Sequence, residues 1–285
     1  MGSVSLKTKT KSVIKVGNVE YSLPTKLSIP VEELGGYTML IYGRKKIGKT
    51  SLCKEFPGAL FLFFEPGGKA LRLFQRQITS WLAFKRYVDL IVKDKEFKTV
   101  IIDVADYAYD MCSTYICKEL GVDHPSDAGW GKGWNAVKRE FNGEILRLLR
   151  CGKGVIFISH QREEEIEERS GKKYHRKTNT LSGQAREALE GLVDIWANYD
   201  YEERKRVLTI LGDDFTDAGH RLEERFKYTN GNRVREISMG KSSQEGYRNF
   251  LDAFNNKLIE PVKEVKTSAK VLPVKKSINN YGGKK

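Results

Sequence analysis

Apolar residues along this chain gather in short unbroken runs, separated by longer stretches in which they recur every three or four positions. The runs are "YTMLIYG" (37–43), "ALFLFFE" (59–65), "KTVIIDVAD" (98–106) and "KGVIFISHQ" (153–161). Each has the length of a strand and is apolar at consecutive positions, as a strand buried on both faces requires. "TSLCKEF" (50–56), "YAYDMCSTYICKELG" (107–121) and "NAVKREFNGEILRLLRCG" (135–152) carry helical spacing instead. "ALRLFQRQITSWLAFKRYVDLIV" (70–92) predicts one or two further helices. "AREALEGLVDIWANYDYEE" (185–203) and "RVLTILG" (206–212) continue the alternation. Ahead of all these, "VGNVEYSL" and "LSIPVEELGG" predict a small strand or hairpin leading inward. Four or more apolar strands separated by helices define an α/β protein with a mainly parallel central sheet flanked by helices. It is expected as one domain over 36–258, with an N-terminal arm over 1–35 and a tail over 259–285.

Composition sharpens that picture without changing it. The chain has 285 residues, 40% of them hydrophobic, enough for one large domain with extensions. Its formal net charge of +13 sits mostly at the ends: residues 1–15 contribute +4 and residues 262–285 contribute +6. Basic ends attract nucleic acid, acidic partners or membrane surfaces, and they also serve as plain solubilising tails. No apolar run follows the basic N-terminus, and no stretch reaches the length of a membrane span. A cytoplasmic chain without a membrane partner is therefore expected. The four cysteines are too sparse for a disulfide framework. Cys112 and Cys117 read as core residues rather than as metal ligands.

The chemistry begins in "LIYGRKKIGKTSL" (40–52). Gly43, Gly48, Lys49 and Thr50 satisfy G-x-x-x-x-G-K-[ST], with a predicted strand before the motif and a helix after it. Such a loop wraps phosphates with its backbone N–H groups, here from Gly43 through Arg44, Lys45, Lys46, Ile47 and Gly48 to Lys49, Thr50 and Ser51. Lys49 reaches the β- and γ-phosphates, and the Thr50 hydroxyl faces Mg²⁺. ATP and Mg²⁺ are the expected ligands. Lys45 and Lys46 stand where small residues are usual; they shield phosphate charge, touch DNA or a neighbouring subunit, or simply face solvent.

Asp103 ends "TVIID", where a carboxylate holds Mg²⁺ directly or through water, making Thr50 and Asp103 the metal residues. Asp106 is a weaker second candidate. Glu65 closes "ALFLFFE" before Pro66, Gly67 and Gly68, at the strand end where ligands bind in such sheets. A carboxylate there orients and deprotonates a water, or else caps a turn. His160 ends "GVIFISH", placed to sense the γ-phosphate or to serve structure alone. Beyond it, "REEEIEERSGKKYHRK" holds five glutamates, then Arg169, Lys172, Lys173, Arg176 and Lys177 around Tyr174 and His175. A mobile basic segment with a ring suits single-stranded DNA, and a solvated charged hairpin is the plain alternative.

"LIYGRKKIGKTSL", "ALFLFFEPGGKAL", "KTVIIDVADYAYD", "GWGKGWNAVKREF" and "GVIFISHQ", in this order and spacing, resemble the RecA-like P-loop ATPases of phages. The likeness is greatest to the single-strand annealing and recombination proteins of the AAA-family, phage nucleotide-binding type. The resemblance implies a RecA-like P-loop NTPase core that hydrolyses ATP, is stimulated by single-stranded DNA and assembles as a homo-oligomer. It further implies recombination or replication proteins as partners and a host-cytoplasmic location. Under it Glu65 is the catalytic base, acting with Lys49, and His160 couples nucleotide to the segment that follows. RecA-type sites are often completed by a basic residue of the next subunit, for which Arg204, Lys205, Arg206 and Arg233 are the candidates. A helicase loader acting on a protein, and a nucleotide-gated DNA-binding module without turnover, are the competing readings.

Overall fold

The structure, a computed structural model, describes residues 13–261. The C-terminal basic tail (262–285) and all but the last three residues of the N-terminal one (1–15) lie outside the described residues. Strands β1 (Val13–Val16) and β2 (Val19–Ser22) form a hairpin of their own. It does not lead inward as expected. Every residue of it is exposed, and so is the following segment to residue 33, which contains Pro24 and Pro30. Those prolines favour an extended chain over packing back as ladder partners.

The body follows as β3 (Thr38–Gly43), α1 (Lys49–Cys53), β4 (Ala59–Phe63), β5 (Phe74–Gln77) and α2 (Trp81–Ile91). Next come β6 (Thr99–Asp103), α3 (Ala105–Leu120), α4 (Lys132–Leu149), β7 (Gly154–Glu167) and β8 (Lys173–Asn179). The chain ends its described part with α5 (Gly183–Glu190), β9 (Ile195–Glu202), β10 (Lys205–Thr209), β11 (Gly219–His220), β12 (Glu236–Ser238) and α6 (Ser243–Phe254).

One ten-stranded sheet organises these elements, in the order β12-β10-β9-β3-β7-β6-β4-β5, with β11 added to β9 and β8 to β7. The six strands from β9 to β5 run parallel, and the additions are antiparallel. This is the α/β architecture, a mainly parallel central sheet flanked by helices, that the sequence led us to expect. The unbroken apolar runs have their cause in it. Along β3, Leu40 and Tyr42 enter the core under α2, α3, α4 and α5, while Met39 and Ile41 enter the core under α1 and α6. Along β7, Val155 and Phe157 take the first side and Ile156 and Ile158 the second. Alternate side chains point to opposite faces, and both faces are covered.

Local chemistry sets the helix starts. Ser80, Ser182 and Ser242 each accept a hydrogen bond from the backbone N–H three residues on, opening α2, α5 and α6. Gly121, at φ 66°, closes α3 in the left-handed conformation that a glycine adopts without penalty.

A second sequence expectation is corrected. Residues 70–92 are not helix throughout: "FQRQ" forms β5, paired in parallel with β4, and α2 waits for the Ser80 cap. Tertiary pairing with a waiting sheet edge overrides the local spacing there. Of the two readings of the segment after His160, the charged hairpin is the one that forms. β7 runs on past His160 to Glu167, turns, and returns as β8. The register sets Glu163 opposite Lys177, Glu164 opposite Arg176 and Glu167 opposite Lys173, so the acids and bases of the segment face one another across the strands.

Candidate functional site

β3 ends at Gly43, and the next five residues bend over the C-terminal ends of the parallel strands before α1. Gly43 fits because its backbone lies against β9: a Cβ there would sit 1.9 Å from the carbonyl oxygen of Tyr199. Gly48 takes φ 110°, a conformation open to glycine and strained for other residues. Arg44, Lys45 and Lys46 are exposed, Ile47 is buried into the core on the α1 side, and Lys46 adopts a left-handed φ of 65°.

Lys49 is buried at the centre of the loop. Its Nζ donates to the carbonyl oxygens of Gly43 at 2.8 Å and Arg44 at 2.9 Å. Burial pushes this ammonium down to about 8, against the pull of Asp103 and Glu65. Thr50 Oγ1 donates to Asp103 Oδ2 at 2.8 Å. That contact joins the start of α1, the helix that follows β3, to the end of β6, and β7 lies between those two strands. Burial, helped by the charge of Glu65, pushes the Asp103 carboxyl up to about 6 while the Thr50 hydroxyl holds it down. An anion beside Lys49 and a divalent cation beside Asp103 each reverse the direction that burial imposes. A hydroxyl and a carboxylate are the hard oxygen donors that suit Mg²⁺.

Glu65 lies two residues beyond β4. Its Oε1 is 3.8 Å from Nε2 of His160, and a third of its side chain reaches solvent. His160 sits within β7 rather than at its end, because the strand continues. Burial and then the charge of Lys49 push its imidazole below the usual range, against Glu65. Its Nδ1 and the Oδ2 of Asp106 are buried polar atoms with no hydrogen-bond partner among the described residues. Asp106 Oδ1 accepts from Thr180 Oγ1 at 2.6 Å, and the Thr180 hydroxyl also lies 3.4 Å from the His160 carbonyl oxygen. Lys49, Thr50, Asp103, Glu65 and His160 thus converge on one place, and Ser51 stays at its rim, half-buried in α1.

Residues that the resemblance linked to DNA or to a neighbouring subunit are placed as follows. Lys173 contacts Glu165 at 2.8 Å, Arg176 donates to the Asp214 carbonyl at 2.9 Å, and Lys177 pairs with Asp200 at 2.7 Å. Tyr174 packs edge-on against Phe215. Arg169 and Lys172 stand at the hairpin tip. Arg204 and Lys205 are exposed at the turn between β9 and β10, beyond the end of the sheet that carries the loop. Arg206 lies beside Tyr201 and Tyr199, which hold its guanidinium above the usual range, and Arg233 is exposed.

Sequence reasoning passed over Thr180, Gln161 and Asp200. The signal for Asp200 was legible: an acid, with Asn198 two residues before it, inside the apolar run "IWANYDYE". Cys53, Cys112 and Cys117 are buried in the cores, and Cys151 is half-buried. No helix among the described residues is long and apolar enough to cross a membrane.

A phosphate-type loop, a strand-end carboxylate bonded to its threonine and a parallel sheet between helices define a P-loop NTPase domain. The chain belongs to the AAA_24 family, an AAA domain, whose match runs over residues 35–222. The SPbeta prophage-derived uncharacterized protein YorG of Bacillus subtilis (strain 168) is 31% identical over 147 residues. That match covers 49% of this chain and 46% of the relative, so the chain spans less than half of that protein's length. Among solved structures, the KaiC-like protein PH0186 from the hyperthermophilic archaeon Pyrococcus horikoshii OT3 is similar at 15% identity and a TM-score of 0.43. That likeness covers 74% of this chain and 88% of the other.

Proposed function

We propose that this chain binds ATP with Mg²⁺ in the loop over Gly43–Thr50 and hydrolyses it, and that the energy serves work on single-stranded DNA in phage-type recombination, annealing or replication. The observation that carries the reading is the 2.8 Å hydrogen bond between Thr50, at the start of α1, and Asp103, at the end of β6, beside the buried Lys49. A loop threonine held against a strand-end aspartate is the pair that a nucleotide-bound Mg²⁺ requires.

Each residue then has a role that its surroundings support. Lys49 exchanges its two carbonyl partners for phosphate oxygens. Thr50 and Asp103 would hold Mg²⁺, which when bound neutralises charge on the phosphates. Glu65, open to solvent on one side, orients a water for in-line attack and takes its proton. His160, its imidazole pushed toward the neutral form, senses the terminal phosphate beside Glu65. Arg204 and Lys205 are the candidates for a cation lent to a neighbouring copy in a homo-oligomer, since both are exposed at the loop end of the sheet. Support for the DNA role includes Trp130. Its ring is fully exposed between Gly129 and Gly131 and two positions before Lys132, a pairing of ring and charge suited to an unpaired base.

ATP hydrolysis measured with and without single-stranded DNA, at low and moderate salt, tests the reading, with Glu65→Gln as the control. DNA stimulation that vanishes in the variant is the expected result. Turnover raised only by a protein partner favours the helicase-loader reading. Tight ATP binding without turnover favours a nucleotide-gated binding module, and undiminished turnover in the variant removes Glu65 from the mechanism.

A further inference from the structure

Asp200 ties together three parts of the molecule that the chemistry above treats separately. It ends the buried portion of β9, one residue past the Tyr199 that pairs with Gly43, and is 5% exposed. Its Oδ1 accepts from Arg44 Nε at 2.7 Å and from the Tyr201 backbone N–H at 2.8 Å. Its Oδ2 accepts from Lys177 Nζ at 2.7 Å and from Gln161 Nε2 at 3.2 Å. The side chain of Asn198 donates to Gln161 Oε1 at 2.8 Å, which turns the Gln161 amide N–H toward Asp200. Arg44 belongs to the phosphate loop, Gln161 to β7 just beyond His160, and Lys177 to the returning strand of the hairpin. A second tie runs alongside: the Tyr42 hydroxyl, one residue before the loop glycine, lies 3.0 Å from the Lys177 carbonyl oxygen.

One carboxylate therefore serves two cations, and they are not held alike. The Arg44 side chain is 57% exposed, against 32% for Lys177. Arg44 is the partner free to leave. A polyphosphate entering the loop offers its guanidinium a planar, doubly hydrogen-bonded alternative. A carboxylate this buried keeps a cation close, so once Arg44 turns away its interaction falls on Lys177 and Gln161, the base of the hairpin. Any such sharing is reciprocal: what the loop does to the hairpin, the hairpin does to the loop.

We propose that Asp200 is a positioning residue that couples occupancy of the phosphate loop to the β7–β8 hairpin, by dividing its charge between Arg44 and Lys177. The inference rests on the nucleotide-site reading and adds the route by which that site is regulated. A plain structural ion pair holds the hairpin equally with and without nucleotide. Coupling makes the hairpin respond.

The test uses the full chain, a fluorescent non-hydrolysable ATP analogue with Mg²⁺, and amide hydrogen exchange over residues 161–179. Wild-type protein is expected to bind the analogue and to change hairpin exchange by about fivefold or more, the lower range of measured couplings. Asp200→Asn and Lys177→Met are expected to retain analogue binding while the exchange response disappears. If Asp200→Asn fails to fold, Lys177→Met, at a half-buried position, decides the matter alone. A variant whose hairpin still responds as in wild type overturns the coupling. Wild-type protein that binds the analogue without a hairpin response overturns the coupling alone. Wild-type protein that binds no analogue overturns the site reading and the coupling with it, and the titration tells these two results apart.

Discussion

Replacing Asp103 by asparagine is expected to stabilise the nucleotide-free protein near neutral pH while removing its response to Mg·ATP. The carboxyl is buried and pushed from 3.8 to about 6. A carboxyl whose folded pKa is raised gives full stability below its unfolded pKa and loses it as pH rises through the folded one. Between pH 4 and 6 the wild-type chain therefore forfeits up to about 3 kcal/mol through this group. Asparagine imitates the protonated form, and its carbonyl still accepts from Thr50. Part of the gain is returned, because Lys49 is itself pushed down by burial and loses a supporting charge. A net stabilisation of about 2 kcal/mol at pH 7.5 remains, with little difference near pH 4.5. Urea unfolding without nucleotide or divalent cation, at both pH values, reads this directly. With Mg·ATP at a hundred times its dissociation constant, wild type gains about 2.7 kcal/mol and the variant nothing. A variant less stable than wild type at pH 7.5 without ligand, or one that keeps the wild-type slope between pH 4 and 6, refutes the reasoning.

Gly43→Ala drives a methyl to within 1.9 Å of the Tyr199 carbonyl oxygen, so β3 and β9 must part; a loss of at least about 3 kcal/mol in urea unfolding is expected. Tyr42→Phe removes a fully buried hydroxyl lying 2.6 Å from the Asp217 carbonyl oxygen and 3.0 Å from that of Lys177. Thermal unfolding should show a loss of about 1–2 kcal/mol, and unchanged stability would mean those carbonyls find other donors. Alkylation followed by mass spectrometry should label Cys151 first in the native protein. Burial raises the thiols of Cys53 and Cys112 and hides them, so their early labelling would contradict the packing described.

Much of the fold was legible because four strands are covered on both faces, and such strands announce themselves as unbroken apolar runs. β5 was not. "FQRQ" has one apolar residue, and its strand character comes from the β4 edge rather than from its own side chains. The hairpin was visible only as one of two readings, for a related reason. Residues 161–167 are mostly charged and fit a mobile segment as well as a hairpin, and only the β7–β8 register shows the acids facing bases. Lys49, Thr50 and Asp103 were legible because their chemistry needs fixed residue types at fixed strand ends. Asp200 was legible only as an acid inside an apolar run; its partners were not, since they depend on β9 lying beside β3, and no local pattern says which strand becomes whose neighbour.

The position of β3 also bears on how the chain is made. Its two hydrogen-bonding neighbours, β7 and β9, come from 154–167 and 195–202, both far downstream. During synthesis at about 5–20 residues per second, the strand leading to the phosphate loop waits roughly 10–30 s for its second neighbour. Throughout that interval its apolar residues 39–42 present open edges to other nascent chains. Closing contacts so distant in sequence is intrinsically slow, so assembly of the loop's support is set by the arrival of β9 rather than by the loop itself.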